Sequence, residues 1–241
     1  MMEAHLRKGL AELGLGDDAA PSLLRFGELL LEKNKVMNLT AITDPEDVAS
    51  LHFLDSAALL TLADLKDKTV VDVGTGAGFP GMPLKILEPS IRMTLLDSLG
   101  KRITFLQEVC NELGLQNVQC VHARAEEFAA EHRQSFDFAV SRAVANLSVL
   151  CELCLPLVKA GGYFLSMKSV ESDEELESAK DLRRTGGADG RLSDPRHRGG
   201  PSGDFYKKNC RNTKKISQTI CKNQKESVII RILAFESEVV S

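Results

Sequence analysis

Residues Val70-Val71-Asp72-Val73-Gly74-Thr75-Gly76-Ala77-Gly78-Phe79-Pro80-Gly81 limit the fold more than any other part of the chain. A short apolar run ends in a turn carrying three alternating glycines, and a helical pattern opens just beyond it. Glycines at such a turn permit backbone angles closed to other residues and let the chain come close to a ligand. Asp97 ends the next apolar run, 23 residues after Gly74, where a carboxylate can accept hydrogen bonds from both ribose hydroxyls of an adenosine. The spacing is G-x-G-x-G and not the G-x-G-x-x-G that cradles a pyrophosphate at a helix N-terminus. Asp72, two residues before the first glycine, suits a cationic ligand with an amino group better than a phosphate. Adenosylmethionine carries a sulfonium and an ammonium and no phosphate. Asp72, Gly74, Gly76, Gly78 and Asp97 are therefore candidate contacts to that cofactor, against the plainer alternative of a glycine turn without a ligand.

The surrounding pattern repeats the strand-then-helix theme. Expected strands are Thr69–Val73, Met93–Asp97, Val118–His122, Phe138–Ser141 and Tyr163–Met167, with helices at Gly81–Leu87, Lys101–Leu113 and Leu147–Leu157 between them. Continuous apolar strands alternating with helices predict an α/β fold, a mostly parallel sheet with helices on both faces. Before this core, up to about residue 65, the chain reads as helical. Pro21 fits a first helical turn, and Leu23, Phe26 and Leu30 follow at i, i+3, i+7. Asp44 and Pro45 make an N-cap and N1 pair for a helix reaching about Leu62. The expected organisation is a helical extension (1–65), a cofactor-binding core (66–170) and an atypical C-terminal region (171–241). A length of 241 residues is enough for one substantial domain with an appendage.

Further stretches resemble a known family. Asn38-Leu39-Thr40-Ala41-Ile42, His52-Phe53-Leu54-Asp55-Ser56, the glycine loop with Phe79-Pro80-Gly81, Leu95-Leu96-Asp97-Ser98-Leu99-Gly100-Lys101-Arg102 and Ser141-Arg142-Ala143 are similar to glucose-inhibited division protein B. That family comprises the small-subunit rRNA guanine 7-methyltransferases, and the resemblance covers roughly residues 20 to 170. It implies a class I, Rossmann-like methyltransferase fold with a seven-stranded sheet, adenosylmethionine as cofactor, and a guanine in the 530 loop of bacterial 16S rRNA, free or in the small subunit, as substrate. Carried over by position, it places cofactor contacts at Gly74, Phe79, Ala125, Glu126 and Arg142, with Asp97 as the ribose acid. Ala125-Glu126 also follows the third strand, where such folds surround an adenine.

The chemistry this implies is simple. The methyl of a sulfonium is already activated and the 7-nitrogen of guanine has an exposed lone pair, so transfer needs no metal and no covalent intermediate. It needs the base held about 3 Å from the methyl carbon. Asn38, His52, Asp55 and Arg142 are the candidates for that positioning; His52 and Asp55, at i, i+3, share a helix face. The competing view makes His52 and Asp55 a structural pair tying the extension to the sheet. Lys101, Arg102 and Arg124, near C-terminal strand ends, are candidates for holding RNA phosphates, against the alternative of a solvated helix start.

Net charge is −4, so any RNA affinity must come from a local basic patch. No apolar run reaches the roughly 18 residues a membrane helix needs and no signal-peptide pattern opens the chain, so a cytoplasmic monomer is expected. Six cysteines lack a framework spacing, and Cys151-x-x-Cys154 reads as buried thiols on a helix and not as a metal site. The sequon at Asn38-Leu39-Thr40 lacks any secretory context.

From about Asp181 the texture changes. Gly186-Gly187, Gly190, Pro195, Gly199-Gly200 and Pro201 crowd a span poor in aliphatics, and seven Lys or Arg with no acid lie from Phe205 through Lys225. The resembled family continues instead with a Pro-Gly-Thr turn, closing strands and a T-P-K-K-Y-P-R-R type tail. Codons can be chosen for Asp194–Arg198 so that a reading begun one base later gives I-P-G-T-E. The same shift across Lys208–Gln224 can yield K-T-A-A-T-P-K-K-Y-P-R-R-F-A-K-I. A frameshift near residues 181–193 is therefore expected, and with it a sheet lacking its closing hairpin. Alternatives remain: a methyltransferase for another RNA, a protein or a small molecule; a nicotinamide oxidoreductase; an RNA-binding protein that keeps the pocket as structure; or an inactive frame variant of the family.

Overall fold

A computed structural model describes residues 2–142, 147–169, 215–222 and 227–234. The strands form one sheet in the order β3-β2-β1-β4-β5-β7-β6. Five of them are mutually parallel: β1 (Thr69–Val73), β2 (Arg92–Asp97), β3 (Val118–His122), β4 (Phe136–Arg142) and β5 (Val158–Ser169). They fall on the apolar runs expected from sequence, because strands covered on both faces are buried over nearly their whole length. β1 is the clearest case, with Val70, Val71, Asp72 and Val73 all buried. The chain order reverses beside β1, so the C-terminal ends of β1 and β4 flank the crevice where such sheets bind ligands.

Helices cover both faces. On one lie α1 (Met2–Glu12), α2 (Ala20–Met37), the short turns α3 (Pro45–Asp47), α4 (Asp55–Ala57) and α5 (Leu59–Leu62), then α6 (Gly81–Leu87) and α7 (Gly100–Glu112). Their core includes Leu23, Phe26, Leu30, Phe53, Phe79, Leu95 and Leu106. On the other, α8 (Ala125–Glu131) and α9 (Leu147–Cys154) enclose Val71, Val73, Leu96, Phe128, Leu150 and Phe164. The N-terminal helices thus pack into the same core as the sheet.

Two details depart from the expectations. The helix expected from Pro45 to Leu62 is interrupted by a π-helical stretch at Val48–Leu54, although Asp44 caps it as expected, accepting from the Glu46 and Asp47 amides at 2.9 and 3.1 Å. A π stretch widens the turn and re-aims the side chains it carries, and His52 lies within it. The second concerns the C-terminal region. The expected loss of the closing hairpin is corrected, since β6 (Lys215–Lys222) and β7 (Ser227–Ala234) pair antiparallel and β7 adds to β5 from Tyr163↔Ala234 to Ser169↔Val228. The run Val228-Ile229-Ile230 is β-branched and favours a strand whatever frame encodes it. The frame question at 181–193 and most of the basic run after Phe205 lie outside the described residues.

Candidate active site

The floor of the site is the turn after β1. Gly74 and Thr75 donate their amides to the Leu96 carbonyl at 2.9 and 3.0 Å, which fastens the turn to β2. Gly76, at φ 60°, donates to Asp97 Oδ2 at 2.9 Å. The other Asp97 oxygen accepts from the Leu99 amide at 2.8 Å, and Arg102 lies 3.3 Å from Oδ2. Asp97 is thus fixed at the end of β2 with its carboxylate at the rim of a cavity of about 740 Å³, lined also by Gly74, Gly76, Phe79 and Arg102. Gly78 sits at φ 103°, and a Cβ there would meet Met82 Cγ at 2.6 Å and Leu106 Cδ2 at 2.8 Å. It packs the turn against α6 and α7 and is not a cavity residue.

Asp72 lies beneath this turn. It is fully buried, and Oδ2 accepts from Thr75 Oγ1 at 2.7 Å and the Gly81 amide at 2.8 Å, while Oδ1 has no partner among the described residues. Burial raises its pKa to about 6 against those two hydrogen bonds. The carboxylate therefore faces the turn and not the cavity. Through Oδ2 it holds the turn's shape, and it is not among the residues that line the cavity, where its spacing predicts it.

The helical extension supplies the facing wall. The His52 ring stacks on Phe79, centroids 4.3 Å apart, and the Arg142 guanidinium carbon stands 4.7 Å over the same Phe79 ring. Arg142 donates to the Leu51 carbonyl and lies 3.0 Å from His52 Nδ1, while His52 Nε2 is 2.9 Å from Thr40 Oγ1. Asn34 holds the Thr40 backbone from both sides, donating to its carbonyl and accepting its amide at 2.9 Å each. Burial first and the Arg142 charge second lower the His52 pKa to about 3, so the imidazole is neutral. Burial lowers Arg142 to about 10 against the pull of Asp55 and Asp72, which leaves it charged at neutral pH.

Of the residues chosen from sequence, the structure brings His52, Asp55, Arg142, Gly74, Gly76, Phe79, Asp97, Ala125, Glu126, Arg102 and Arg124 to one cavity. Asn38 is not among them: it is the exposed C-cap of α2, in the left-handed conformation at φ 49°. Lys101 is exposed in the first turn of α7 and also lies off the cavity. His52 and Asp55 both line the cavity, and the bonds seen for His52 run to Thr40 and Arg142. Asn34, Thr40 and Thr75 were missed from sequence. The signal available for Thr40 was its place inside the Asn38–Ile42 stretch.

Among the described residues no group of three His, Cys, Asp or Glu is placed to hold a metal, and no helix is long and apolar enough to cross a membrane. Cys151 and Cys154 are buried on α9 and are not joined in a disulfide. The cavity does fit an adenosine bearing a cationic arm. A carboxylate 4% exposed sits at the ribose position, two glycines keep the floor free of side chains, and Ala125 and Glu126 stand beyond it at the end of β3.

The fold and this site together define a class I adenosylmethionine-dependent methyltransferase. Solved structures with this architecture include YcgJ of Bacillus subtilis (TM-score 0.51, 15% identity, covering 78% of this chain and all of that one). A SAM-dependent methyltransferase from Aquifex aeolicus is comparable (TM-score 0.50, 16% identity, 84% and 97% covered). At those identities the likeness is one of fold. The sequence profile of the GidB family, rRNA small subunit methyltransferase G, matches residues 19–189, and the chain belongs to that family. Its relatives include the ribosomal RNA small subunit methyltransferase G of Alkaliphilus metalliredigens, 51% identical over 180 residues (73% of this chain, 75% of the relative). That of Clostridium botulinum is 48% identical over 179 residues, with the same shares covered.

Proposed function

We propose that the chain transfers the methyl group of adenosylmethionine to the 7-nitrogen of a guanine in the 530 loop of 16S rRNA. The observation that carries this reading is the convergence of two walls on one cavity: the Gly74–Gly76 floor with Asp97, and the His52–Thr40–Arg142 wall from the extension and β4. When bound, the cofactor supplies a methyl already activated on a sulfonium. The chain then has to place a guanine in line with that methyl and exclude competing nucleophiles, which proximity and orientation can accomplish without a base. Positive charge passes to the purine with the methyl, and the ring proton it acidifies leaves to solvent. Asp97 holds the ribose, and Phe79, His52, Asp55 and Arg142 shape the place where methyl and base meet. Arg102 and Arg124 offer cationic contacts to RNA phosphates at the rim.

A cytoplasmic monomer acting on the small subunit or its rRNA is the setting this reading implies. We also keep the frameshift near residues 181–193 as a proposal. Its support is that the family match ends at residue 189 and that a quarter of the Alkaliphilus metalliredigens and Clostridium botulinum relatives stays unmatched. The gene's nucleotide sequence decides it, since codons incompatible with the shifted segments end the idea.

The test is methyl transfer from radiolabelled adenosylmethionine to small subunits from a strain lacking the modification. Label on one guanine of the 530 loop is the expected result, and it would also show that the altered C-terminal region leaves the enzyme active. Absence of label with cofactor binding intact would point to the altered C-terminal region or to a different substrate.

A further inference from the structure

We propose that Thr40 is the residue that selects guanine, by offering the target base a hydroxyl that can donate a hydrogen bond but cannot accept one. This rests on the reading of the chain as a guanine 7-methyltransferase.

The argument begins at Arg142. A guanidinium has donors and no acceptor, so its 3.0 Å contact with His52 Nδ1 requires that nitrogen to be the acceptor. The ring proton is then on Nε2. The 3.2 Å approach of Nδ1 to the Leu51 carbonyl is not a hydrogen bond in this tautomer, and that carbonyl already accepts from Arg142 at 3.0 Å. Nε2–H accordingly donates to Thr40 Oγ1 at 2.9 Å. The Ile42 amide donates to the same oxygen at 3.1 Å. A hydroxyl has two lone pairs and one hydrogen. Both lone pairs of Thr40 are engaged, and its hydrogen has no acceptor among the described residues. Thr40 lines the cavity.

A cavity hydroxyl committed to donation favours a ligand oxygen and rejects an amino group. On the purine edge that carries the 7-nitrogen, guanine presents the 6-oxygen beside it, whereas adenine presents a 6-amino group. A bond from Thr40 to the 6-oxygen would leave the 7-nitrogen lone pair open to the methyl. It would also set donor against donor for adenine, leaving two groups unpaired. Arg142 and His52 act through this oxygen and are positioning residues for the discrimination. Burial and the Arg142 charge keep the imidazole neutral, so the arrangement holds through the physiological range.

The experiment measures single-turnover methylation of small-subunit RNA carrying guanine, 2-aminopurine (no 6-oxygen) or 2,6-diaminopurine (a 6-amino group) at the target position. The full chain is used as wild type, Thr40→Ser and Thr40→Val, with cofactor affinity and melting temperature measured for each. Wild type should prefer guanine over either analogue by about 10- to 100-fold, and Thr40→Ser should keep that preference. Thr40→Val should lose guanine activity by a similar factor and bring guanine and 2,6-diaminopurine to within a few-fold of each other, with cofactor affinity unchanged. An unaltered guanine preference in Thr40→Val overturns the proposal. So does a loss of cofactor affinity, which would assign the hydroxyl to the methionine carboxylate. If Thr40→Val does not fold, equal rates of wild type on guanine and 2-aminopurine overturn it alone. Failure of wild type to methylate guanine would instead remove the enzymatic reading on which the proposal rests.

Discussion

Replacing Asp72 with Asn separates the charge of this side chain from its fastening of the glycine turn. In the native chain the carboxylate is fully buried and its pKa stands at about 6 against an ordinary 3.8, with burial as the leading cause. For an acid raised by folding, the associated stability is fully present below the unfolded pKa and is lost as pH rises through the folded one. At about 1.4 kcal/mol per pH unit, the interval from 3.8 to about 6 corresponds to a loss of about 3 kcal/mol. His52 acts with the opposite sign. Its pKa falls to about 3, so its contribution is present above 6.5 and lost as pH drops toward 3. The native pH profile therefore mixes two opposing slopes, and the difference between native and Asp72→Asn isolates one of them. An amide keeps an oxygen for Thr75 and Gly81 and matches the protonated acid in shape. One additional N–H where Oδ1 now lacks a partner adds a cost that does not vary with pH. Urea unfolding of both proteins across pH should show the variant gaining on the native chain by about 2 kcal/mol between about pH 4.5 and about pH 7.5. A difference that stays flat, or that moves toward the native protein as pH rises, would refute the claim that burial governs this carboxyl.

The same variant should bind adenosylmethionine within about threefold of the native chain, since the Asp72 carboxylate faces the turn, whereas Asp97→Ala should weaken binding by about 30- to 1000-fold in calorimetry. Gly78→Ala should destabilise by about 2–4 kcal/mol in denaturant titration, because a Cβ there must displace Met82 and Leu106 at a φ unfavourable to L-residues. Lys85, 1% exposed, donates to the Pro89 and Ile91 carbonyls at 2.6 Å each, so Lys85→Met should cost about 2–4 kcal/mol in the same titration without changing cofactor affinity.

The parallel strands were legible because each is a short apolar run with a glycine, an acid or an amphipathic helix after it. Their ends shifted by a few residues where pairing extended them: β5 starts at Val158 and not Tyr163, since Val158 finds a partner in Phe136 across an irregularity in β4. α8 went unread because Ala125–Glu131 carries one large apolar residue, Phe128, so no apolar repeat marks it, whereas the equally short α6 carries Met82, Leu84, Ile86 and Leu87. The π stretch was unreadable for another reason, since its apolar spacing also suits an ordinary helix and tertiary packing decides between them. In the site, sequence spacing located Asp72 beside the turn but could not say which way its carboxylate points. That depends on Thr75 and Gly81 folding back over it. Asn38 failed in the same way. The polar head of its motif ends α2 in a left-handed turn, and that turn carries Thr40, two residues on, into the cavity.

These outcomes share a physical cause that bears on how the site divides its work. A glycine turn and an acid at the next strand end are local features: backbone angle and chain spacing create them, so they can be read along the sequence and serve any ligand with an adenosine. The discriminating wall is non-local. Thr40 is held by Asn34 on α2, oriented by His52 in the π stretch, and His52 is oriented by Arg142 from β4, ninety residues away. Each of these hydrogen bonds is worth about 1 kcal/mol in isolation, too little to hold the arrangement unaided. What holds it is the apolar contact of Phe26, Phe53 and Phe79, rings 5.4 to 6.0 Å apart, which joins α2, the π stretch and the glycine turn in one core. The helical extension therefore has to pack into the same core as the sheet, because the hydrogen bonds that face the substrate are only as fixed as the rings behind them.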